Sequence, residues 1–153
     1  MKFPMVFFDG AAAESIGGAS ICIWLNDQHF ISIKLGCGSS SNTRPELLAL
    51  CASLYITKDI GFPCLHIFGN SSMIINWEKG ESTLDIVNLE AWCFNTRMLM
   101  SSFTRVDFSH VYREHNKREN SLSKEGLRTA SGHLLLTESC DDEFIGEFSL
   151  QLF

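Results

Sequence analysis

The order of its hydrophobic periods constrains this chain more than any other feature. Three short apolar runs come first. Val6-Phe7-Phe8-Asp9-Gly10 stops at a turn dipeptide, Gly17-Gly18 opens a second run from Ala19 to Leu25, and after Asn26-Asp27 a third runs from His29 to Leu35. Strand, tight turn, strand is the pattern of a hairpin, so three antiparallel strands are expected. The period then changes. Thr43-Arg44-Pro45-Glu46 has capping-box spacing with proline in the first turn, and Leu47, Leu48, Cys51, Leu54 and Tyr55 recur at helical spacing until Gly61-Phe62-Pro63. Cys64 to Gly69 reads as a fourth strand, Asn70-Ser71 as the cap of a short helix, and Ile86 to Met100 as a longer helix. Val106 to Tyr112 is a fifth strand and Glu119 to Leu127 a last helix. This β-β-β-α-β-α-α-β-α order predicts an α/β fold. Its mixed five-stranded sheet has three antiparallel strands, then parallel β-α-β units, with helices on its faces.

A length of 153 residues suits one hydrophobic core, and 45% hydrophobic with 20% charged residues excludes a disordered chain. The reading is a domain over 1–128 and an acidic, apolar C-terminal extension over 129–153. Leu134-Leu135-Leu136 and Phe148 to Phe153 are too apolar for a solvated tail, so the extension is expected to dock on the domain or on a partner. No apolar run approaches the ~20 residues that span a bilayer, and Met1-Lys2-Phe3-Pro4 lacks the features of a signal peptide. The expectation is an intracellular protein, cytoplasmic or nuclear, neither secreted nor membrane-bound. Six cysteines form no CxxC pair and lie mostly in apolar stretches, which argues for buried thiols over a zinc site or a disulfide framework.

Net charge is −6, at first sight unfavourable for a nucleic-acid partner. The acids are unevenly spread. Residues 131–153 hold Glu138, Asp141, Asp142, Glu143 and Glu147 with no Lys or Arg, leaving residues 1–130 near neutral. Arg105, Arg113, Lys117, Arg118, Lys124 and Arg128 outnumber the acids between them, which permits a local basic patch but not strong non-specific binding.

Three acidic or near-acidic positions fall at strand ends and helix starts, where open α/β sheets place ligands: Asp9, Glu46 and Asn70. A fourth, Asn120, opens the last helix. On Phe8-Asp9-Gly10-Ala11, Ser41 to Leu50, Phe68-Gly69-Asn70-Ser71 and His110 to Ser123, the chain resembles the type 1 ribonuclease H family, with its four-carboxylate set on this same element order. More narrowly, Ile67 to Trp77 and His110-Val111-Tyr112-Arg113-Glu114-His115-Asn116 are similar to the C-terminal ribonuclease H domain of plant non-LTR (LINE-type) retrotransposon polyproteins. Each motif is weak alone; four in order over roughly residues 3 to 128 are specific.

The resemblance implies hydrolysis of RNA in RNA/DNA hybrids by two Mg²⁺ (or Mn²⁺) ions held at Asp9, Glu46 and the positions of Asn70 and Asn120. It also implies a role in product release for His115. Gly10, Asn42 and Ser71 are candidate nucleic-acid contacts, since helix N-termini suit phosphate. Asn70 and Asn120 stand where the family carries Asp. An amide keeps a carboxylate's shape without its charge, so the set holds formal charge −2 where four carboxylates would hold −4. A loss of ~4 kcal/mol in transition-state stabilisation is already about a thousandfold in rate. The expectation is a weak or inactive nuclease, the exchanges read as decay of a transposon-derived copy in preference to a substrate-trapping change.

Each residue also has an ordinary reading. Asp9-Gly10 alone is a turn, Glu46 alone a capping acid, and Asn70 and Asn120 alone are N-caps. Two other functions therefore stand beside the nuclease: an inactive module that binds nucleic acid, and a protein-interaction domain derived from a retrotransposon that uses residues 131–153. Serine-hydrolase, P-loop and dinucleotide readings fail for want of their motifs.

Overall fold

The computed structural model describes residues 3–13, 16–39, 43–69, 90–110, 131–141 and 143–151. The hairpin strands are β1 (Met5–Ala13), β2 (Ile16–Trp24) and β3 (His29–Ser39). Asn26 shapes the second turn as expected, its Oδ1 accepting the N–H groups of Gln28 at 2.9 Å and His29 at 2.8 Å. The strands run longer than their apolar cores. β1 does not turn at Asp9-Gly10 but stays paired to β2 through Ala13↔Ile16, and β3 continues past the end of its apolar run at Leu35 through the glycine-rich Gly36-Cys37-Gly38. Cross-strand hydrogen bonds, to which side-chain hydrophobicity is indifferent, extend the ladder.

Helix α1 (Thr43–Ile60) follows, then β4 (Cys64–Gly69), α2 (Glu90–Ser101), β5 (Arg105–His110), β6 (His133–Cys140) and β7 (Glu143–Gln151). α1 stops at Gly61, whose φ of +105° only glycine tolerates easily, while the N–H groups of Gly61 and Phe62 return to the Thr57 carbonyl. The expected helices at Asn70 and at Glu119 to Leu127 lie outside the described residues, as does the start of the longer helix before Glu90.

Among the described residues the sheet has seven strands, in the order β5-β4-β1-β2-β3-β6-β7. β1, β4 and β5 are parallel to one another; all the other pairings are antiparallel. The mixed α/β architecture agrees with the sequence reading, and the strand count does not. Leu134↔Leu35, Leu136↔Ile33 and Glu138↔Ile31 set β6 along the open edge of β3, and β7 pairs with β6. The physical reason is an edge with unmet hydrogen bonds beside an apolar run that needs burial.

One core lies between the sheet and α1. Val6, Phe8, Ile21, Ile23, Ile33, Leu35 and Ile67 project from the strands, and Leu47, Leu48, Leu50 and Leu54 meet them from the helix, all fully buried. Each such leucine contributes ~1.5–3 kcal/mol by leaving water. Ser53 and Thr57 are buried on the same helix and satisfy their hydroxyls on carbonyls four residues back, each at 2.7 Å. Tyr55, read as part of the buried face, is instead half exposed. α2 packs outside α1, with Thr96 buried between them and Trp92, Cys93, Leu99 and Met100 partly buried. All six cysteines are thiols; Cys22, Cys37 and Cys51 are buried, in line with their apolar neighbours.

Candidate active site

The parallel strands finish side by side. Gly69, the last residue of β4, pairs with Phe8 of β1, and His110, the last of β5, pairs with Gly69. Among the described residues the ladder on the β4 side of β1 runs as far as Phe8↔Gly69, while β2 continues to pair with β1 through Asp9↔Ser20 and Gly10↔Ala19. This is the carboxyl end of parallel strands at a point where the sheet changes from parallel to antiparallel, the position where open α/β sheets form ligand crevices.

Asp9 is fully buried there, its Oδ1 accepting the N–H of Gly10 at 2.9 Å. By strand alternation Gly10 shares the face of Val6 and Phe8, toward α1, and Asp9 the opposite face. Gly10 is where the helix reaches the strand. A Cβ on it would stand 2.6 Å from the backbone N of Glu46, 2.8 Å from Glu46 Cγ and 2.8 Å from Pro45 Cβ. Only a residue without a side chain admits this approach. The first turn of α1 is thus pressed against the residue after Asp9, bringing half-buried Glu46 to the same point of the sheet. The positive end of the helix dipole faces this point and favours anionic groups and anions alike.

Of the expected set, the structure therefore gathers Asp9, Gly10 and Glu46. Asn42, Asn70, Ser71, His115 and Asn120 lie outside the described residues, although Asn70 directly follows Gly69 in the chain. Among the described residues no group of three or more His, Cys, Asp or Glu side chains is arranged so that it could hold a metal ion. The donor chemistry of the described half fits a hard divalent cation, which takes carboxylate oxygens; the other expected half offers amides.

Three neighbours escaped the sequence reading. Pro45 is buried against Gly10, Ser20 is buried opposite Asp9, and Gly69 leaves room for the Phe8 ring, whose carbons would lie 2.7 Å from an added Cβ. Pro45 and Gly69 stand next to the candidate positions 46 and 70 in the chain, whereas Ser20 carried no sequence signal. Elsewhere, burial pushes the Cys51 thiol up against the opposing pull of its hydrogen bond with Thr96.

A family profile described as "Reverse transcriptase-like" matches residues 7–126. A ribonuclease HI of Halobacterium salinarum is 27% identical over 127 residues, covering 81% of this chain and 64% of the relative, so the chain spans just under two thirds of that protein. Among solved structures, RNase H1 from Halobacterium salinarum superposes with a TM-score of 0.75 at 24% identity, covering 83% of this chain and 98% of that one. An N-terminal RNase H domain from Mycobacterium tuberculosis gives 0.75 at 19%, covering 83% and 94%. A compost-derived RNase H1, solved in complex with an RNA/DNA hybrid, gives 0.72 at 19%, covering 83% and 98%. The likeness to these structures is one of fold. No helix among the described residues is long and apolar enough to cross a membrane. With most of its length matched and its sheet, helices and carboxylates in this order, the chain is an RNase H-like α/β domain and belongs to the reverse transcriptase-like family.

Proposed function

We propose that this domain is a ribonuclease H-type endonuclease for the RNA strand of RNA/DNA hybrids, impaired by amides at two of its four metal-binding positions. The observation that carries the reading is the contact of Gly10 with Glu46, which sets two carboxylates from distant parts of the chain at one end of the parallel strands. In this reading Asp9, Glu46, Asn70 and Asn120 hold two Mg²⁺ or Mn²⁺ ions, whose chemistry when bound is to activate water and neutralise charge on the scissile phosphate. Asp9 is held rigid by its burial and its bond to the Gly10 N–H, so it orients without rearrangement. Glu46 reaches the site from a helix start that itself attracts phosphate oxygens. Gly10, Asn42 and Ser71 line the hybrid backbone, and His115 assists product release. The hybrid bound by the compost-derived neighbour supports the substrate class. The motif stretches, with the family match, support an origin in a retrotransposon polyprotein of the plant LINE type.

The amides at 70 and 120 predict the deficit. Restoring both carboxylates, Asn70→Asp with Asn120→Asp, is expected to raise Mg²⁺- or Mn²⁺-dependent cleavage of a labelled hybrid by about a thousandfold or more. Equal cleavage by the parent protein would overturn the impairment. Failure of the double variant to cleave, with its fold intact, would overturn the nuclease reading. A second reading is supported by the shape retained by the two amides: a module that binds the hybrid without cutting it. Its mark is parent-protein binding to the hybrid that weakens as salt rises.

A further inference from the structure

A pocket of about 350 Å³ lies between the C-terminal end of α1 and the strands β6 and β7, within the size range of small-molecule sites. Of its apolar lining, Ile31, Ile56 and Leu134 are buried, whereas Tyr55, Ile60 and Phe148 are 51%, 44% and 55% exposed. An apolar body seated here would take two half-exposed aromatic rings out of water. Two charged side chains line the same pocket and both are acidic, Asp59 from α1 and Glu138 from β6. Among the described residues no Lys or Arg lines it, and Lys58, next to Asp59 in the chain, lines a different pocket with Trp92 and Met98. Glu138 is held in place by His29, whose Nε2 meets its Oε2 at 2.6 Å. A neutral imidazole donates such a bond and leaves the carboxylate's charge where it is. Across the ladder Glu138 pairs with Gly146, which has no side chain to cover it, and a Cβ built there would meet nothing within 4 Å. The helix end at Ile60 adds the negative pole of its dipole at the same place.

We propose that this pocket binds a small organic cation, an ammonium carried on an apolar body. The apolar body lies between Tyr55 and Phe148, and the ammonium stands with Asp59 and Glu138, where an aromatic face adds to its attraction. Three other occupants fit less well. A hard metal ion wants six or more oxygens, and among the described residues no group of side chains is arranged to hold one. A neutral ligand would displace water from two carboxylates without replacing its hydrogen bonds, and an anion would meet them as like charges. Burial of the apolar body supplies most of the affinity; the carboxylates are partly exposed, so the charge pairs supply selectivity more than strength. None of this rests on the nuclease reading.

The test uses the full chain at about pH 8, where an ordinary imidazole is neutral, and three probes that share one apolar body: phenylbutylamine, phenylbutanol and phenylbutyrate. Amide NMR shifts read both the affinity and the place of contact. The amine is expected to bind with a Kd of about a millimolar and to shift the amides of Ile60, Glu138 and Phe148. The alcohol should bind about tenfold more weakly and the carboxylate more weakly still, the scale of two partly exposed charge pairs. Asp59→Asn with Glu138→Gln, which keeps both shapes, should bring the amine to the level of the alcohol and leave the alcohol unchanged. Asp59 is exposed, so Asp59→Asn alone leaves the fold intact and should weaken the amine by about threefold if the double variant does not fold. Four results would each overturn the proposal: no saturable binding of the amine, equal affinity for the three probes, shifts confined to residues outside this pocket, or full amine affinity in the folded variants.

Discussion

Replacing Gly10 by alanine isolates the contact on which the site depends. The added Cβ falls 2.6 Å from the Glu46 backbone N, whereas ordinary contact begins at 3.4 Å, so β1 and the start of α1 must separate by about 0.8 Å. The obstructing atoms are a backbone nitrogen and a buried proline ring carbon, with the Glu46 side chain between, so rotation of one side chain cannot relieve the clash. Overpacking of this kind costs ~1–3 kcal/mol, and the rigid partners place Gly10→Ala in the upper half of that range. For a domain of this size the melting temperature should fall by about 4–12 °C. Two other glycines separate the causes. Gly146→Ala meets nothing within 4 Å at an ordinary φ and should change stability by no more than ~0.5 kcal/mol. Gly61→Ala also meets nothing but must adopt a φ of +105°, so its cost of ~1–3 kcal/mol is purely conformational. Urea unfolding of the three variants gives the ranking. If Gly10→Ala unfolds at the same midpoint as Gly146→Ala, the close approach of β1 and α1 is wrong, and the placing of Asp9 and Glu46 at one end of the sheet loses its support.

Other consequences are open to measurement. Leu54→Ala removes a fully buried side chain between α1 and the sheet and should cost ~2–5 kcal/mol in urea unfolding; a loss under ~1 kcal/mol would contradict the packing. Asp9→Asn, which keeps size and removes charge, should abolish any rise in melting temperature caused by Mn²⁺ in the protein carrying Asp at 70 and 120; an undiminished rise would remove Asp9 from the metal site. His66 lies 2.8 Å from Ser109 Oγ and stacks on Phe68 at 4.1 Å, and burial holds its pKa below the usual histidine value despite the opposing pull of Asp107. The unfolded chain therefore binds the proton more readily, so this contribution to stability is complete above about pH 6.5 and fades as the pH falls toward the folded-state pKa. An NMR titration of the His66 ring with its midpoint at or above 6.5 would refute this.

Much of the arrangement was legible along the chain because it rests on local periods. The apolar alternation of β4, the Asn26 turn, the helical recurrence of Leu47, Leu48, Cys51 and Leu54, and the glycine stop at 61 all act within a few residues. Tyr55 shows the limit. A period gives the direction of a helical face but not its width, and the width is set by how far the sheet extends beneath it, which leaves Tyr55 half exposed. Strand ends were misjudged where glycines carry the ladder, at Gly17-Gly18 and Gly36-Cys37-Gly38, because backbone pairing leaves no hydrophobic signature. The strand character of 133–151 was hidden for the same reason. Leu134-Leu135-Leu136 is ambiguous alone and becomes a strand only beside β3, where Glu138 also meets His29 at 2.6 Å.

The candidate site divides along the same line. Residue types and their order along the chain could nominate Asp9 and Glu46, since carboxylates at a strand and a helix start carry their chemistry wherever they fold. They also nominated positions 70 and 120, where an amide is neutral in any conformation. That the residue after Asp9 packs against Glu46 and Pro45, with Ser20 buried opposite Asp9, was decided only when the sheet closed under α1. Proximity between residues so far apart in the chain is set by the packing of whole elements, and no short window of sequence contains that information.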